Sequence, residues 1–443
     1  MSSSRRDFIK KSAIGAAGIT IGGIGLSAKS YGRIIGANDR LNFGIVGIHS
    51  RGKALLRAAA ACQNTSIAAL CDVDSRVLED VTEMTKKITG KNPENYVDYR
   101  VLLENKDIDV VAIASPEHWH APMAIMGAQA GKHVYVEKPC SHNPREGELL
   151  IEVAEKTGMK MQMGNQQRSA PTSILAIKEI KEGIIGEPYY GKAWYSYKRG
   201  PIGRGQEVPV PEWLNWELWQ GPAPRQAYQD VWVHYDWHWF WEYGTGEINN
   251  NGTHEIDICR WALGVEYPNK ISSAGGRYHY DDDWEFYDTQ MVTYEYDNDK
   301  LITWEGKSCN PYKIFDRGRG AAIHGTEGTV ILDRNLYQVF DLDGKKIKEV
   351  AEEEKSATTD TMGAGALDVY HMANLCNAIR HDEKLRSPMH EAAPTSTLCH
   401  LGNYAQKVGR TLRINKENGH ILDDSEAMQL WSRVYEPGWE PRV

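Results

Sequence analysis

Residues 41–52, with the sequence LNFGIVGIHSRG, decide the fold of this chain. An apolar strand pattern over residues 41–46 runs directly into a turn with a glycine at each end, and a helical pattern follows over residues 53–61. In a dinucleotide-binding sheet, the first glycine of such a turn makes it tight and the last lets the helix pack close to the strand. The turn residues predicted to contact a dinucleotide are Gly47, His49, Ser50, Arg51 and Gly52.

Strand and helix patterns continue to alternate up to residue 164, which predicts a parallel, doubly wound sheet. The second strand pattern, residues 67–71, ends at Asp72. An acid at this place accepts hydrogen bonds from the ribose hydroxyls and repels a 2′-phosphate, so NAD is predicted rather than NADP. His49 stands where the usual pattern has its middle glycine, and a strand–turn–helix without a ligand is the alternative interpretation.

A second decisive stretch is VYVEKP, residues 134–139. Its β-favouring residues predict a short buried strand, and Pro139 ends the regular pairing because proline lacks a backbone N–H. Glu137 and Lys138 lie at the carboxyl end of this strand, where open α/β sheets bind ligands. These two residues are therefore predicted to meet a cofactor and a substrate.

The first half of the chain resembles the nucleotide domain of the Gfo/Idh/MocA oxidoreductase family. The resemblance rests on the glycine turn, on Asp72 and on the stretches SPEHWHA (115–121), AGKHV (130–134) and EKP (137–139). The residues that it places at the cofactor are Ser115, Pro116, His120, Glu137, Lys138 and Arg168. It implies that Lys138 touches both cofactor and substrate; for Arg168 a surface charge is the alternative.

A cluster of aromatic residues follows this half. Nine tryptophans fall between Trp194 and Trp261, and those at 237, 239 and 241 alternate. Tryptophan faces can stack on the C–H groups of a sugar, although a tryptophan-lined core is the better interpretation for any single one. The cluster predicts a carbohydrate cleft, with Trp239 as a substrate contact.

The stretch GTGEINNNGTHEID, residues 244–257, carries the second half of the site. The resembling family has an aspartate four residues before a histidine, and here these positions hold Asn250 and His254. Residues four apart on a helix share one face, and histidine titrates close to neutral pH. His254 and Lys138 are predicted to be catalytic, and Asn250 is predicted to contact the substrate with them.

Successive strand patterns between residues 270 and 341 predict an antiparallel sheet. The predicted fold class is α/β: an N-terminal Rossmann sheet and a C-terminal α+β domain with a large open, mostly antiparallel sheet. The expected divisions are a targeting segment at 1–30, an NAD-binding Rossmann domain at 40–164, and a substrate and oligomerisation domain at 165–443. A homo-oligomer, dimer or tetramer, is expected.

The N-terminus reads SRRDFIK at residues 4–10 and continues into a Gly/Ala-rich apolar run, residues 13–28. This pattern matches a twin-arginine export signal, and a membrane anchor is the alternative. The run is glycine-rich and shorter than a spanning helix needs, so no permanent membrane span is expected. Export of an already folded protein predicts a tightly bound NAD and a periplasmic location.

Composition excludes other classes of function. A formal charge of −9 does not support nucleic-acid binding. The seven cysteines form no CxxC pair, which is against a disulfide framework or a zinc ribbon. His234, Asp236 and His238 lack a further ligand at recognisable spacing, so no metal is predicted.

The function predicted is an exported, NAD-dependent oxidoreductase acting on a hydroxyl of a sugar or glycoside. The first alternative is a redox-neutral, NAD-dependent glycosidase, because an exported enzyme has no obvious partner that recycles the cofactor. The second is a sugar-binding homologue without catalysis, suggested by His49 and Asn250.

Overall fold

The computed structural model describes residues 39–297, 299–352 and 365–443. The predicted export signal lies outside these residues. Within them, no helix combines the length and the apolar character that crossing a membrane requires.

The first half forms a six-stranded sheet in which every pair of neighbouring strands is parallel. Its strands are β1 (Leu41–Val46), β2 (Thr65–Cys71), β3 (Glu94–Tyr96), β4 (Val110–Ile113), β5 (His133–Val136) and β6 (Met161–Met163). Its helices are α1 (Arg51–Ala61), α2 (Ser75–Thr89), α3 (Tyr99–Glu104), α4 (Glu117–Gln129) and α5 (Pro144–Thr157). The strand order β3-β2-β1-β4-β5-β6 confirms the predicted Rossmann arrangement.

The central strand β1 shows why these residues form this sheet. Phe43 and Ile45 are fully buried, as is Gly44 between them. A strand covered by helices on both faces needs apolar residues at consecutive positions rather than at alternate ones. Local caps fix the helices: the carboxylate of Asp74 accepts the N–H of Arg76 at the start of α2, and Gly90 ends it in a left-handed conformation.

The second half forms a ten-stranded sheet that is antiparallel except between two of its strands. Its strands are β7 (Pro188–Ser196), β8 (Lys270–Gly276), β9 (Thr289–Glu295), β10 (Leu301–Lys307), β11 (Arg319–Gly325), β12 (Gly328–Leu332), β13 (Leu336–Asp341), β14 (Lys346–Ala351), β15 (Leu412–Ile414) and β16 (Ile421–Leu422). Its helices are α6 (Pro171–Lys181), α7 (Trp216–Gln220), α8 (Thr253–Leu263), α9 (Ala366–His381), α10 (Met389–Val408) and α11 (Ser425–Met428). The exception is the pair β7 and β10, and the order β14-β13-β12-β11-β7-β10-β9-β8-β15-β16 confirms the large, mostly antiparallel sheet.

One face of this sheet is covered. In β10, Ile302 and Trp304 are buried while the residues between them are half-buried, which is the alternation of a sheet with one packed face. The packed face meets α8 and α10, whose buried residues Ile256 and Leu398 belong to the same core. Helix α9 returns to the first half, where Leu375 packs in the core beside α1. Both sheets belong to one compact unit, residues 41–443, and the expected boundary at residues 164 and 165 stays a prediction.

The differences between the predicted and observed elements have two physical causes. The sequence predictions lack strands β3, β14, β15 and β16: β3, β15 and β16 are only two or three residues long, and β14 is a polar edge strand. Helix α4 begins at Glu117, within the stretch SPEHWHA, where the sequence shows no helical pattern. Its first turns are buried on all sides, so they show no helical period, and Pro122 lies inside the helix.

Candidate active site

A cavity of about 680 Å³ lies at the carboxyl ends of the parallel strands. Residues that follow β1, β2, β4 and β5 form one wall, and residues from the second half form the other. The predicted site residues that line it are Gly47, His49, Ser50, Arg51, Asp72, Ser115, Pro116, His120, Glu137, Lys138, Asn250 and His254. The fold therefore brings together two groups of residues that are more than 100 positions apart in the sequence.

The glycine turn has no space for side chains. Gly47 has a φ of +74°, and a Cβ there would lie 2.5 Å from the backbone nitrogen of Ser115. A Cβ on Gly52 would lie 2.2 Å from the carbonyl oxygen of Gly47. Gly52 does not line the cavity itself, but it sets how closely α1 approaches the turn. This is the cradle that a dinucleotide pyrophosphate requires.

Asp72 organises the same turn from the end of β2. Its carboxylate accepts the backbone N–H of Ile48 at 2.7 Å and that of Asp74 at 3.0 Å. Burial raises its pKa to about 6, so the carboxylate is still mostly ionised at neutral pH. An ionised acid on the cavity wall is the group expected to accept the ribose hydroxyls of NAD.

His49 fills the place of the missing glycine with a flat, neutral ring. It stacks on His234 with 4.0 Å between ring centroids and 5° between planes. Burial and the neighbouring His234 lower the pKa of His49 to about 4. The departure from the glycine pattern is thus accommodated by a contact with the second half of the chain.

Glu137 is held in a buried ion pair. Its Oε1 accepts the Nε of Arg51 at 2.8 Å and the amide of Gln166 at 3.0 Å. The same arginine binds Asp368 at the start of α9. Two sequence-predicted cofactor residues, one after β1 and one after β5, therefore form one network.

His120 joins the ends of β4 and β5. Its two ring nitrogens lie 2.8 Å from the carbonyl oxygen of Ser115 and 2.6 Å from that of Pro139. Because it is almost fully buried, its pKa is lowered. The ring borders the cavity and fixes the turn that carries Lys138.

Lys138 connects the two halves of the chain. Its Nζ donates to the carbonyl oxygen of Asn250 at 2.6 Å and to the side-chain Oδ1 at 3.0 Å. Burial lowers its pKa to about 8, although Glu117 and Glu137 act in the opposite direction. Asn250 lies in a π-helical turn, Ile248–Gly252, that leads into α8; such turns are frequent at functional sites.

His254, the second residue of α8, faces the cavity as a neutral imidazole. It is 6% exposed, and its Nδ1 is buried without a hydrogen-bond partner among the described residues. Burial and the nearby cations Arg334, Lys138 and Arg319 hold its pKa well below the usual value. A neutral imidazole with a free nitrogen can accept a proton.

Two predicted contacts lie away from the cavity wall. Trp239 is 1% exposed and stacks on Trp284 at 3.9 Å, inside an aromatic core, so the predicted sugar contact is corrected. Arg168 binds the carboxylate of Asp257 in α8 through two nitrogens, at 2.7 and 2.9 Å. Its charge thus holds α8 in place rather than bordering the cofactor. Both residues are large and half-apolar, and the fold uses them for packing.

The sequence prediction missed Glu117. This first residue of α4 is buried, lines the cavity and accepts a hydrogen bond from the hydroxyl of Thr245. Burial raises its pKa to about 7. Glu117 stands inside the stretch SPEHWHA that carries the family resemblance, so the sequence held a sign of its importance. The turn that contains it is buried on all sides and therefore shows no helical period.

His234 and His238, which could be read from the sequence as metal ligands, contact other groups of the protein. Nε2 of His234 lies 2.9 Å from Asp74, and Nδ1 of His238 lies 2.6 Å from the carbonyl oxygen of Tyr235. In the described part of the chain, the grouping with metal-ligand geometry is His279, Asp288 and Cys309. There the carboxylate already has a guanidinium, that of Arg277, at 3.5 Å and a backbone N–H at 2.7 Å.

The fold and the cavity together define a class of protein: a Rossmann oxidoreductase with a second, sheet-containing domain that closes the substrate end. Residues 41–165 match the model of an oxidoreductase family with an NAD-binding Rossmann fold, and residues 177–441 match its C-terminal alpha/beta domain. The chain belongs to the Gfo/Idh/MocA oxidoreductase family, as the sequence resemblance indicated, and its Rossmann domain is of the NAD-binding type.

Curated relatives resemble about half of the chain in sequence. A glycosyl hydrolase family 109 protein of Shewanella pealeana is 28% identical over 214 residues, 45% of this chain and 47% of its own length. An alpha-N-acetylgalactosaminidase of Shewanella oneidensis is 28% identical over 44% of this chain and 46% of its own length. The chain thus spans about half the length of these curated relatives.

Solved structures share the fold over most of the chain. Levoglucosan dehydrogenase, solved with NADH and levoglucosan, has a TM-score of 0.64 and 18% identity, covering 84% of this chain and 99% of its own. The WlbA dehydrogenase of Bordetella pertussis, in complex with NADH and UDP-GlcNAcA, has a TM-score of 0.63 and 17% identity, covering 85% and 99%.

Proposed function

We propose that this protein is an NAD-dependent oxidoreductase that acts on a hydroxyl group of a sugar or glycoside. The observation that carries the proposal is the convergence of Lys138 and His254 on one end of the cavity, beside Asn250, with the glycine turn at the other end. A cation and a neutral base next to a dinucleotide site are the groups that alcohol oxidation needs.

The chemistry divides between the cofactor and two side chains. Bound nicotinamide supplies the hydride acceptor. His254 takes the hydroxyl proton, because its imidazole is neutral and lines the cavity. Lys138 donates a hydrogen bond to the same oxygen and stabilises the negative charge that develops there, which is most effective in a dry cavity.

A redox-neutral glycosidase is the second candidate, and the glycosyl hydrolase family 109 relatives favour it. In this route the sugar is oxidised transiently, the glycosidic substituent is eliminated, water adds, and the sugar is reduced again. Lys138 and His254 would serve the same proton transfers, so both candidates use the same site.

Product analysis separates the candidates. The purified protein is incubated with a panel of sugars and nitrophenyl glycosides, while reduced nicotinamide is followed by absorbance and products by mass spectrometry. Oxidised sugar with reduced cofactor supports the oxidoreductase; a released aglycone without accumulation of reduced cofactor supports the glycosidase. A protein that neither contains nor binds nicotinamide contradicts both and leaves a sugar-binding role.

We also propose that residues 1–30 direct twin-arginine export to the periplasm with NAD tightly bound, and that the protein is a homo-oligomer. N-terminal sequencing of the periplasmic protein tests cleavage of the signal. Light scattering of the purified protein, combined with its nicotinamide content, tests the other two proposals.

A further inference from the structure

The substrate end of the cavity is rich in arginine. Four arginines of the second half line it, and they come from different loops and strands. These residues are Arg199, Arg317, Arg319 and Arg334. The arginine wall lies next to Lys138. Arg319 donates to the side chain of Asn251, and the preceding residue, Asn250, accepts a hydrogen bond from Lys138.

Arg199, Arg317 and Arg319 each bind a carboxylate. The pairs are Arg199 with Glu247 at 2.5 Å, Arg317 with Asp333 at 2.9 Å and Arg319 with Glu255 at 2.6 Å. Arg317 also binds Gln338 and a backbone carbonyl, so its guanidinium is fully engaged. In Arg319, by contrast, Nη2 is buried and finds no hydrogen-bond partner in the part of the chain that the structure describes.

Arg334 adds positive charge beside Arg319. Burial and the proximity of Arg319 lower the pKa of Arg334 to about 9, which means that its surroundings disfavour the cation. Its charge is also the largest electrostatic influence on His254. The two guanidinium groups and His254 therefore lie within electrostatic reach of one another.

Asn250 adds no negative charge beside Lys138, although Glu117 and Glu137 act on that lysine and Glu255 and Asp368 act on Arg334. The family pattern has an aspartate at this position, which would carry a negative charge next to Lys138. Here the amide accepts a hydrogen bond from Lys138 but brings no charge. Lys138, Arg319 and Arg334 line one part of the cavity, and Nη2 of Arg319 has no acceptor among the described residues; this arrangement favours a ligand that carries an anionic acceptor.

We propose that the substrate carries an anionic substituent, a carboxylate or a sulfate group on the sugar, that is bound by Arg319 and Arg334. The inference rests on the proposed sugar-directed function and names its substrate class. Nε and Nη1 of Arg319 are engaged by Glu255 and Asn251, so this arginine would donate to either anion through Nη2, in a charge-assisted hydrogen bond. The unpartnered Nη2 of Arg319 gains its acceptor in this arrangement.

Calorimetric titration of the NAD-loaded protein tests the proposal. The ligands are methyl glucoside, methyl glucuronoside and methyl glucoside 6-sulfate, with the three galacto counterparts. We expect an anionic member to bind at least about tenfold more tightly than its neutral counterpart, and the preference to weaken with salt. Tighter binding of the uronoside identifies a carboxylate-bearing substrate, and tighter binding of the sulfate identifies a sulfate ester.

Substitutions of Arg334 show where the anionic substituent of the substrate binds. Arg334→Gln should remove most of the preference for the anionic member, and Arg334→Lys should keep part of it, because the charge remains without the planar guanidinium. Arg204→Gln is the charge-matched control: this arginine is 56% exposed, pairs with Asp281 and does not line the cavity. It should leave the preference unchanged.

Two results overturn the proposal. In the first, the neutral and anionic members bind equally, or neither binds although NAD is retained. In the second, the preference for the anionic member survives Arg334→Gln. Turnover of neutral sugars without discrimination would remove only the anionic subsite and leave the proposed function standing. Failure of the protein to bind NAD would instead contradict the proposed function itself.

Discussion

The two ends of the cavity are built in different ways. At the cofactor end, the contacts come from backbone turns directly after parallel strands, and glycines at 47 and 52 leave no room for a side chain. At the substrate end, the wall consists of side chains: asparagines of the π-helical turn, His254 of α8, and arginines from strand β11 and from loops of the second half. Lys138 lies at the junction, since it follows β5 and donates to Asn250.

The two ends of the cavity therefore have different roles: one binds the cofactor, and the other holds the groups that act on the substrate. The cofactor end recognises a ligand that is the same in every NAD enzyme, and its geometry depends on close backbone approach. The substrate end must match the particular compound that the enzyme acts on, a sugar in the function proposed above, and it uses side chains that can change without altering the fold. Substitutions at the two ends should therefore have separable effects on NAD binding and on turnover.

The largest effect is expected for Lys138→Ala. Loss of the cation removes stabilisation of the developing negative charge, so turnover should fall by about 10²- to 10⁴-fold. The NAD content of the purified protein should stay close to that of the original. Steady-state kinetics and cofactor analysis check both. Lys192→Ala is the control, because Lys192 lines no part of the cavity and pairs with Glu305; turnover similar to the control would remove Lys138 from the mechanism.

His254→Asn should lower turnover by about 10²- to 10³-fold, because no base remains to take the hydroxyl proton. The pH profile adds a specific signature. A base works only when unprotonated, and the pKa of His254 lies well below its usual value, so activity should persist below pH 6.5 and fall only at more acidic pH.

The variant should lose this acidic limb. The matched substitution His324→Asn, on a histidine that stacks on Tyr190 outside the cavity, should keep it. An acidic limb that is the same in His254→Asn and in the original protein would rule out this histidine as the base.

At the cofactor end, Gly52→Ala should weaken NAD binding by about 10- to 100-fold. The added Cβ would stand 2.2 Å from the carbonyl oxygen of Gly47, and relief of such overpacking costs about 1–3 kcal/mol. Titration of the cofactor by calorimetry measures the loss, with thermal unfolding to confirm that the variant is folded. Gly200→Ala is the control, since a Cβ there meets nothing within 4 Å; equal losses in both would contradict the close-packing role.

A smaller effect, about tenfold, is expected for Asp72→Ala on the preference for NAD over NADP. The ionised carboxylate repels a 2′-phosphate, and its removal should weaken NAD and favour NADP. Measured affinities for NAD and NADP give the ratio that expresses this preference. Asp80→Ala, in the exposed part of α2, should not change it. An unaltered ratio in Asp72→Ala would assign the selectivity to other residues.

The smallest effect is a shift in the alkaline limb of the pH profile. Burial lowers the pKa of Lys138 to about 8, so the cationic form that stabilises charge is lost as the pH rises through this value. In kcat/KM, activity should therefore decline above about pH 8. Lys138→Arg should be slower at every pH but flat through this range, because arginine keeps its charge. A decline at the same pH in that variant would assign the limb to another group.

The sequence predicted the fold most accurately where the signal lies in neighbouring residues. The strand–turn–helix at residues 41–61 and the ends of β2 and β5 were correct, since glycines, an acid and a proline each have a conformational reason to stand there. Prediction was weakest where a side chain has more than one use. Trp239 and Arg168 have the chemistry of ligand contacts, yet neighbours supplied by distant segments placed them in the core.

By itself, the sequence determined the nucleotide-binding half, the choice of NAD and the location of Lys138, because contiguous residues encode a turn and its hydrogen bonds. It also predicted that Asn250 and His254 share one face of a helix, whereas Asn250 lies in the π-helical turn that leads into α8. Only the tertiary structure decided that these residues meet Lys138, that His254 is held neutral, and that Arg319 and Arg334 close the same space. Burial and the distances between charges arise from packing between segments far apart in the chain, and no local pattern records them.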